Sequence, residues 1–381
     1  MADAAPVVSQ RPEKGRFFAF LKKNAVLVIA FLAAVISAFL VPPDGEYLGY
    51  FDVKTLCCLF GTLAVVCALK NIHFFSILAS RIIQLTGNSR IAALTLIYIT
   101  FIGSMLIAND MALITFLPLG YYVFSVSGRK DEVATVFILQ NIAANLGGML
   151  TPFGNPQNLY LYQRFNIPTG EFMGIMLFPF LIAVALITVC CFLVPRHSLR
   201  VSPRMEEPLP AGRTAIYIAL FALTILMVFR LLSPWLVLII VVAALLFMDR
   251  RALRQVDYGL LLTFVCFFIF SGNMGRVPVI REFFSGLLEK NALLTAALSC
   301  QVISNVPSAI LLSQFTENYA PLLVGVNIGG AGTLIASLAS LITFREYTSH
   351  YRECTKPYIL RFSAFNFGFL IILALICNFI I

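Results

Sequence analysis

The chain has 381 residues, 60% of them hydrophobic and only 12% charged, about half the charged share of an ordinary soluble domain. No stretch is long and polar enough to fold as a soluble unit, so the whole chain reads as one helical membrane protein. The net charge of +9 does not point to nucleic acid, because the basic residues stand in short groups between apolar segments without interleaved aromatics. It reads instead as membrane orientation.

In chain order, Arg11, Lys14, Arg16, Lys22 and Lys23 precede a first apolar run, Asn24–Val41. The residues from Ser37 to Pro42 imitate a signal-peptide cleavage site, but the run is long for such a segment and more spans follow, so an uncleaved first helix is expected. Placing the N-terminus in the cytoplasm puts all but six of the 27 Lys and Arg on that side, the six being Lys54, Arg164, Arg230, Arg276, Arg281 and Lys290. An interfacial stretch at 71–86 leads to an apolar hairpin over 91–125, tipped by Asn109 and Asp110. A helix broken by Gly, Pro and Asn is expected over 132–165, and Phe172–Val194 closes a first unit, 1–195. A Pro- and Arg-rich cytoplasmic linker, 196–213, leads to the second unit, 214–381. It holds spans at Thr214–Leu232 and Trp235–Met248, an interfacial stretch at 278–290 and a hairpin over 291–316 tipped by Ser304 and Asn305. A broken helix over 320–344 and a last span, Pro357–Ile381, complete it.

The cysteines lie in apolar segments except Cys354, and the pairs Cys57–Cys58 and Cys190–Cys191 lack CxxC spacing, so they read as packing residues. His73, His197 and His350 fall far apart at cytoplasmic membrane edges and read as interface residues.

The two units repeat one another. Asn145–Leu159 aligns without gaps on Asn327–Leu341, with identities at Asn145/Asn327, Gly147/Gly329, Gly148/Gly330, Thr151/Thr333 and Leu159/Leu341. That exceeds the roughly one or two identities that so biased a composition yields by chance. Asp52 aligns likewise with Asp257. Orientation by basic residues puts both ends of the first hairpin inside and both ends of the second outside, so one copy is upside down. The reading is an all-α membrane protein of about 10–11 transmembrane helices in two inverted-topology repeats, each with a hairpin and a broken helix.

Inverted repeats with interrupted helices place a transport site where the interruptions meet. Freed carbonyls and Asn or Thr oxygens can hold Na+, while amides at half-helix N-termini can hold an anion. The candidate binding residues are Asn109, Asp110, Asn145, Gly147, Gly148, Thr151, Gly154, Asn155 and Asn158 in the first copy. Ser304, Asn305, Asn327, Gly329, Gly330, Thr333, Ser337 and Ser340 are those of the second, with Asn109, Asp110 and Asn305 as candidate Na+ ligands. Asp110 is the one acidic residue placed deep in an apolar region, and it suits a Na+ ligand, a proton carrier or a helix cap. Val306 stands at the matching position. No Lys or Arg falls at midplane, so an anion would be held by helix ends and amides. No HExxH, paired intramembrane aspartates or P-loop is present, which disfavours a membrane-embedded enzyme or a self-contained pump. A channel is disfavoured only weakly, by the doubled helix break.

The segments "AND" (108–110), "NLGGMLTPFGNPQN" (145–158), "QVISNVPS" (301–308), "VNIGGAG" (326–332) and "ASLAS" (336–340) resemble the signatures of the ion-transporter superfamily. That superfamily includes citrate and dicarboxylate carriers, arsenite permeases and certain Na+/H+ antiporters. The resemblance is strongest to citrate-transporter-like bacterial inner-membrane proteins and covers nearly the whole chain. It implies re-entrant hairpins, outer scaffold helices, an ion site at each tip and a homodimer formed through the scaffold. It also implies symport of a small anion such as citrate or a dicarboxylate with Na+ or H+ and no other cofactor, or else antiport or oxyanion efflux. The Ala-Asn-Asp and Ser-Asn-Val tips depart from the Ser-Asn-Thr of dicarboxylate carriers, the first standing closer to the arsenite and antiporter branches.

Overall fold

The computed structural model describes residues 24–126, 130–198 and 208–380. The N-terminal cations that carry the orientation argument, and half of the linker, lie outside the described residues. Helices and short 3-10 turns are joined by irregular segments, with no strand among the described residues.

Helix α1 (Ala25–Leu40) leads through a 3-10 turn, Gly45–Tyr50, to α2 (Val53–Asn71). Asp52 caps α2 by accepting from the Thr55 N–H at 3.0 Å, which supplies one of the donors a helix start leaves unpaired. The short α3 (Phe74–Ile83) packs beside α4 (Ser89–Ile107) and α5 (Asn109–Val126), the two arms of a hairpin. Helix α6 (Lys130–Gly147) ends in a 3-10 turn, Gly148–Leu150, and the chain resumes as α7 (Pro156–Arg164) and α8 (Thr169–Cys191). Then follow α9 (Ala211–Val228), α10 (Pro234–Met248), the short α11 (Arg250–Gln255) and α12 (Tyr258–Arg276). Asp257 caps α12 through the Leu260 N–H at 2.9 Å, as Asp52 caps α2.

Helix α13 (Pro278–Ile303) carries a non-helical residue, Asn291, at φ −163° and ψ 96°. The Asn291 side chain accepts from the Leu294 N–H at 2.8 Å, so a fresh helix start divides α13 into an outer piece and a hairpin arm. The return arm is α14 (Asn305–Leu312); α15 (Tyr319–Ile328) and α16 (Leu338–His350) flank a second break, and α17 (Thr355–Asn378) completes the chain.

Among the described residues, seven helices are long and apolar enough to cross a membrane. The ten to eleven crossings expected from the sequence also count shorter pieces, because α1, α10 and the arms beside the breaks fall below that length. The protein is a multi-pass membrane protein. Of the segment around α6, 89% lies inside the molecule, against 28% of α8 and of α9. The broken helix is therefore central, and the uninterrupted helices present the apolar side chains Leu181, Val189, Ile218 and Trp235 outward. In the hydrocarbon an irregular backbone must be covered by protein, which is why the broken element occupies the middle.

Candidate functional site

Both hairpins turn through one residue in the same unusual conformation. Ala108 has φ 65° and ψ 152°, and Ser304 has φ 73° and ψ 161°, a region that almost only glycine occupies without strain. The next residue folds back identically in the two tips. The Asn109 side-chain oxygen accepts from the Asp110 N–H at 3.0 Å, and the Asn305 side-chain oxygen from the Val306 N–H at 2.9 Å.

Each tip is tied to its break by the same bond. The Thr151 hydroxyl donates to the Met105 carbonyl at 2.9 Å and the Thr333 hydroxyl to the Gln301 carbonyl at 3.1 Å. Met105 and Gln301 each stand four residues before the tip asparagine. These threonines therefore spend their proton on the hairpin and keep only acceptor capacity.

The carbonyls freed by the breaks are largely taken by amide side chains. The Asn158 amide donates to the carbonyls of Gly148 at 3.1 Å, Met149 at 3.1 Å and Thr151 at 3.2 Å. In the second copy Gln301 does the same, donating to Gly329 at 2.8 Å and Ala331 at 3.4 Å while accepting from the Thr333 N–H at 2.9 Å. The glycines let these groups approach. A Cβ at Gly147 would stand 2.3 Å from the Phe101 carbonyl, and one at Gly154 2.2 Å from that of Gly148; at Gly329 it would lie 2.8 Å from the Cys300 sulfur. Gly332, at φ 136°, adopts a backbone closed to side-chain-bearing residues.

The two halves join through asparagines. Asn327 donates to the Asn158 carbonyl at 2.6 Å and accepts from the Asn155 amide at 3.4 Å. The Asn109 amide donates to the Asn145 carbonyl at 3.3 Å. That same Asn145 side-chain oxygen and the Asn305 amide both lie within 3.5 Å of where a Gly330 Cβ would stand, so Gly330 is the gap between the second tip and α6. One turn before Asn145, Asn141 donates to Ser340 and to Asn366 at 3.3 Å each. Ser337 caps α16 through the Ser340 N–H at 3.1 Å. Apart from Asp110 the cluster carries no formal charge, and no group of three or more His, Cys, Asp or Glu able to hold a metal occurs among the described residues.

Comparison with known proteins gives the family. Residues 17–326 match the family model described as citrate transporter. The chain belongs to the citrate transporter family. Over 329 residues, 86% of this chain and 89% of the relative, it is 31% identical to an uncharacterized transporter of Methanocaldococcus jannaschii. It is 27% identical to the inner membrane protein YbiR of Escherichia coli, again over 86% of this chain and 89% of the relative. A shorter match, 32% identical over 36% of this chain and 26% of the relative, is to a silicon efflux transporter of Oryza sativa. This citrate transporter family member is a membrane transporter.

Its sequence-predicted residues divide into three groups. Asn109, Asn145, Asn155, Asn158, Asn305, Asn327, Ser337 and Ser340 are buried polar residues at the centre. Thr151, Thr333 and Ser304 serve as braces, Ser304 donating to the Ala336 carbonyl at 3.2 Å, and the glycines make room. Asp110 is set apart from both, because its Oδ1 is buried with no hydrogen-bond partner among the described residues, as is the Asn155 Oδ1. Asn141, Gln301, Thr343 and Asn366 were missed by motif reading. Each is a polar side chain inside an apolar helix, and that alone marks it.

Proposed function

We propose that this transporter is an ion-coupled secondary carrier that moves a small anion of the citrate or dicarboxylate class with Na+ or H+, the N-terminus and linker lying in the cytoplasm of a bacterial inner membrane. The observation that carries the reading is the meeting of two hairpin tips and two broken helices on a buried amide network that is neutral but for Asp110. Such a network can offer N–H donors to an anion and oxygens to a hard cation without committing a fixed charge, and so suits a site that must be emptied on each cycle. Two buried oxygens without partners, Asp110 Oδ1 and Asn155 Oδ1, suit Na+ or, at Asp110, a proton. Each tip asparagine keeps a second lone pair for the same use. The implied homodimer would pair scaffold faces, in keeping with the exposed apolar side chains of α9 and α10.

A second reading, Na+/H+ antiport or arsenite-type oxyanion efflux, is favoured by the same unpaired carboxylate oxygen of Asp110, because antiport needs one carboxylate and no organic anion. Internal pH recorded in proteoliposomes separates the two as Na+, citrate, succinate and arsenite are added in turn to the native chain and to Asp110→Asn. The anion-carrier reading expects a response to one carboxylate that is lost in Asp110→Asn. A response to Na+ alone would sink it in favour of antiport, and a response to arsenite alone would assign efflux of an oxyanion.

A further inference from the structure

A cavity of about 470 Å³ opens at the end of α7 that lies away from the amide network. Its walls come from two parts of the molecule. The segment from Gly49 to Lys54 and one face of α12 form one side, and Tyr160, Gln163 and Arg164 of α7 with Gln314, just past α14, form the other. It opens on the face opposite the linker. Helix α2 starts at the cavity and runs 19 residues, about 28 Å at the helical rise, to Asn71, which donates to Asp249 at 2.9 Å. Beyond Asn71 the chain passes through α3 to Ser89, whose N–H donates to the His197 carbonyl of the linker at 2.9 Å.

The charge around this cavity is out of balance. Lys54 and Arg164 line it, and neither is in an ion pair among the described residues. Arg230 adjoins it, donating to the Gln163 carbonyl at 3.1 Å and otherwise to the main-chain carbonyls of Ile167 and Tyr162, so no carboxylate neutralises it either. The single acidic lining residue, Asp52, is engaged with both the N–H and the hydroxyl of Thr55, at 3.0 and 2.6 Å. The floor is closed by Tyr160, two residues beyond Asn158, whose hydroxyl meets the Ser313 hydroxyl at 2.9 Å. Ser313 donates to Ile310 at 3.0 Å, so Tyr160 is the donor of that pair.

We infer that this cavity is a vestibule that collects small multivalent anions on Lys54 and Arg164 before they reach the amide network. The inference rests on the proposed anion carriage and adds to it a separate, outer binding site. A site of amides discriminates at short range but attracts weakly from a distance, whereas unneutralised cations in a low-dielectric recess concentrate anions and raise their arrival rate by roughly 10- to 1000-fold at low ionic strength. Separating the attracting charges from the deep site leaves the latter free of a cation that would hold its cargo too long. The Tyr160–Ser313 bond, between a broken helix and a hairpin arm, is the partition between the two.

The test is equilibrium binding of radiolabelled citrate to the purified full chain at low and high ionic strength, in lipid-free detergent and in nanodiscs containing anionic lipid. The native chain is compared with Lys54→Gln/Arg164→Gln and with Asn158→Ala. The expected result is weak citrate binding at low salt that falls about tenfold in the double variant and is suppressed by salt. Asn158→Ala should retain that salt-sensitive component, because its defect lies behind the partition. Equal citrate binding by the native chain and the double variant, or none by either, overturns the vestibule. Citrate binding that anionic lipid displaces overturns it too, by assigning Lys54 and Arg164 to the bilayer surface. Failure of the transport reading is distinct: it would appear as salt-sensitive binding of citrate that never crosses the membrane.

Discussion

Replacing Asn327 with Ala would strand the buried side-chain oxygen of Asn158, which accepts at 2.6 Å, and leave the Asn155 amide with the Asn145 main-chain carbonyl at 3.5 Å. The orphaned oxygen costs about 1–3 kcal/mol, so Asn327→Ala is expected to lower stability in detergent by roughly that amount and to abolish transport. Asn327→Asp would keep the size but exchange the donor for a charge, and should be worse than Ala in both assays. A second expectation concerns Gly332, where a Cβ would stand 2.1 Å from the Gln301 Oε1 at a φ of 136°. Gly332→Ala must expel Gln301 from the second break, uncovering the carbonyls of Gly329 and Ala331. Loss of transport together with faster amide exchange around residues 329–336 is the expected signature.

At the scale of elements, the tips invite substitution in the opposite direction. Ala108 and Ser304 occupy a backbone region that costs about 1–3 kcal/mol for residues other than glycine. Ala108→Gly should therefore stabilise the fold by about 1 kcal/mol once the extra entropy of glycine in the unfolded chain is deducted, measured by thermal unfolding. It should also weaken the coupling ion's apparent affinity, because a relaxed turn no longer presents Asn109 and Asp110 in one geometry. The breaks were legible in the sequence because Gly and Pro inside apolar runs announce them, and the hairpins because Asn109–Asp110 and Ser304–Asn305 interrupt apolar arms. The division of α13 at Asn291 is local too, with its cap three residues from the donor it satisfies. What local pattern could not supply is the partner of each break: Asn158 covers the first from just beyond it, whereas Gln301 covers the second from a different helix.

For the whole molecule, the face opposite the linker is held by a strap of charge. Arg276 at the end of α12 donates to both carboxylate oxygens of Asp44, at 3.0 and 2.6 Å, and lies 3.4 Å from Glu46. That hydrogen bonding holds the Asp44 carboxyl below its ordinary value of 3.8. A group depressed in the folded state stabilises above its unfolded value and loses that contribution as pH falls through the folded one. Hydrogen-exchange protection of Gly45–Tyr50, taken relative to the intrinsic rate at each pH, should thus stay level from neutral pH down to the ordinary carboxylate range and fall only below it. Arg276→Gln should lower that protection already at neutral pH. Closer to the membrane interior, Asn273 ties the same turn down by donating to Ser37 at 3.0 Å and to Tyr47 at 2.9 Å.

The sequence by itself determined that this is a helical membrane protein of two related halves with interrupted helices, because spanning length, Gly–Pro breaks and the repeat are properties of neighbouring residues. The family resemblance, which rests on the same short motifs, came with them. Only the tertiary structure decided that Asn155 answers Asn327 across 172 residues, that Asn141 answers Asn366 across 225, and that Lys54 and Arg164 share one cavity. In hydrocarbon every freed backbone group must find a partner, but any nearby amide will serve. Composition therefore announces that partners exist, and packing alone chooses which.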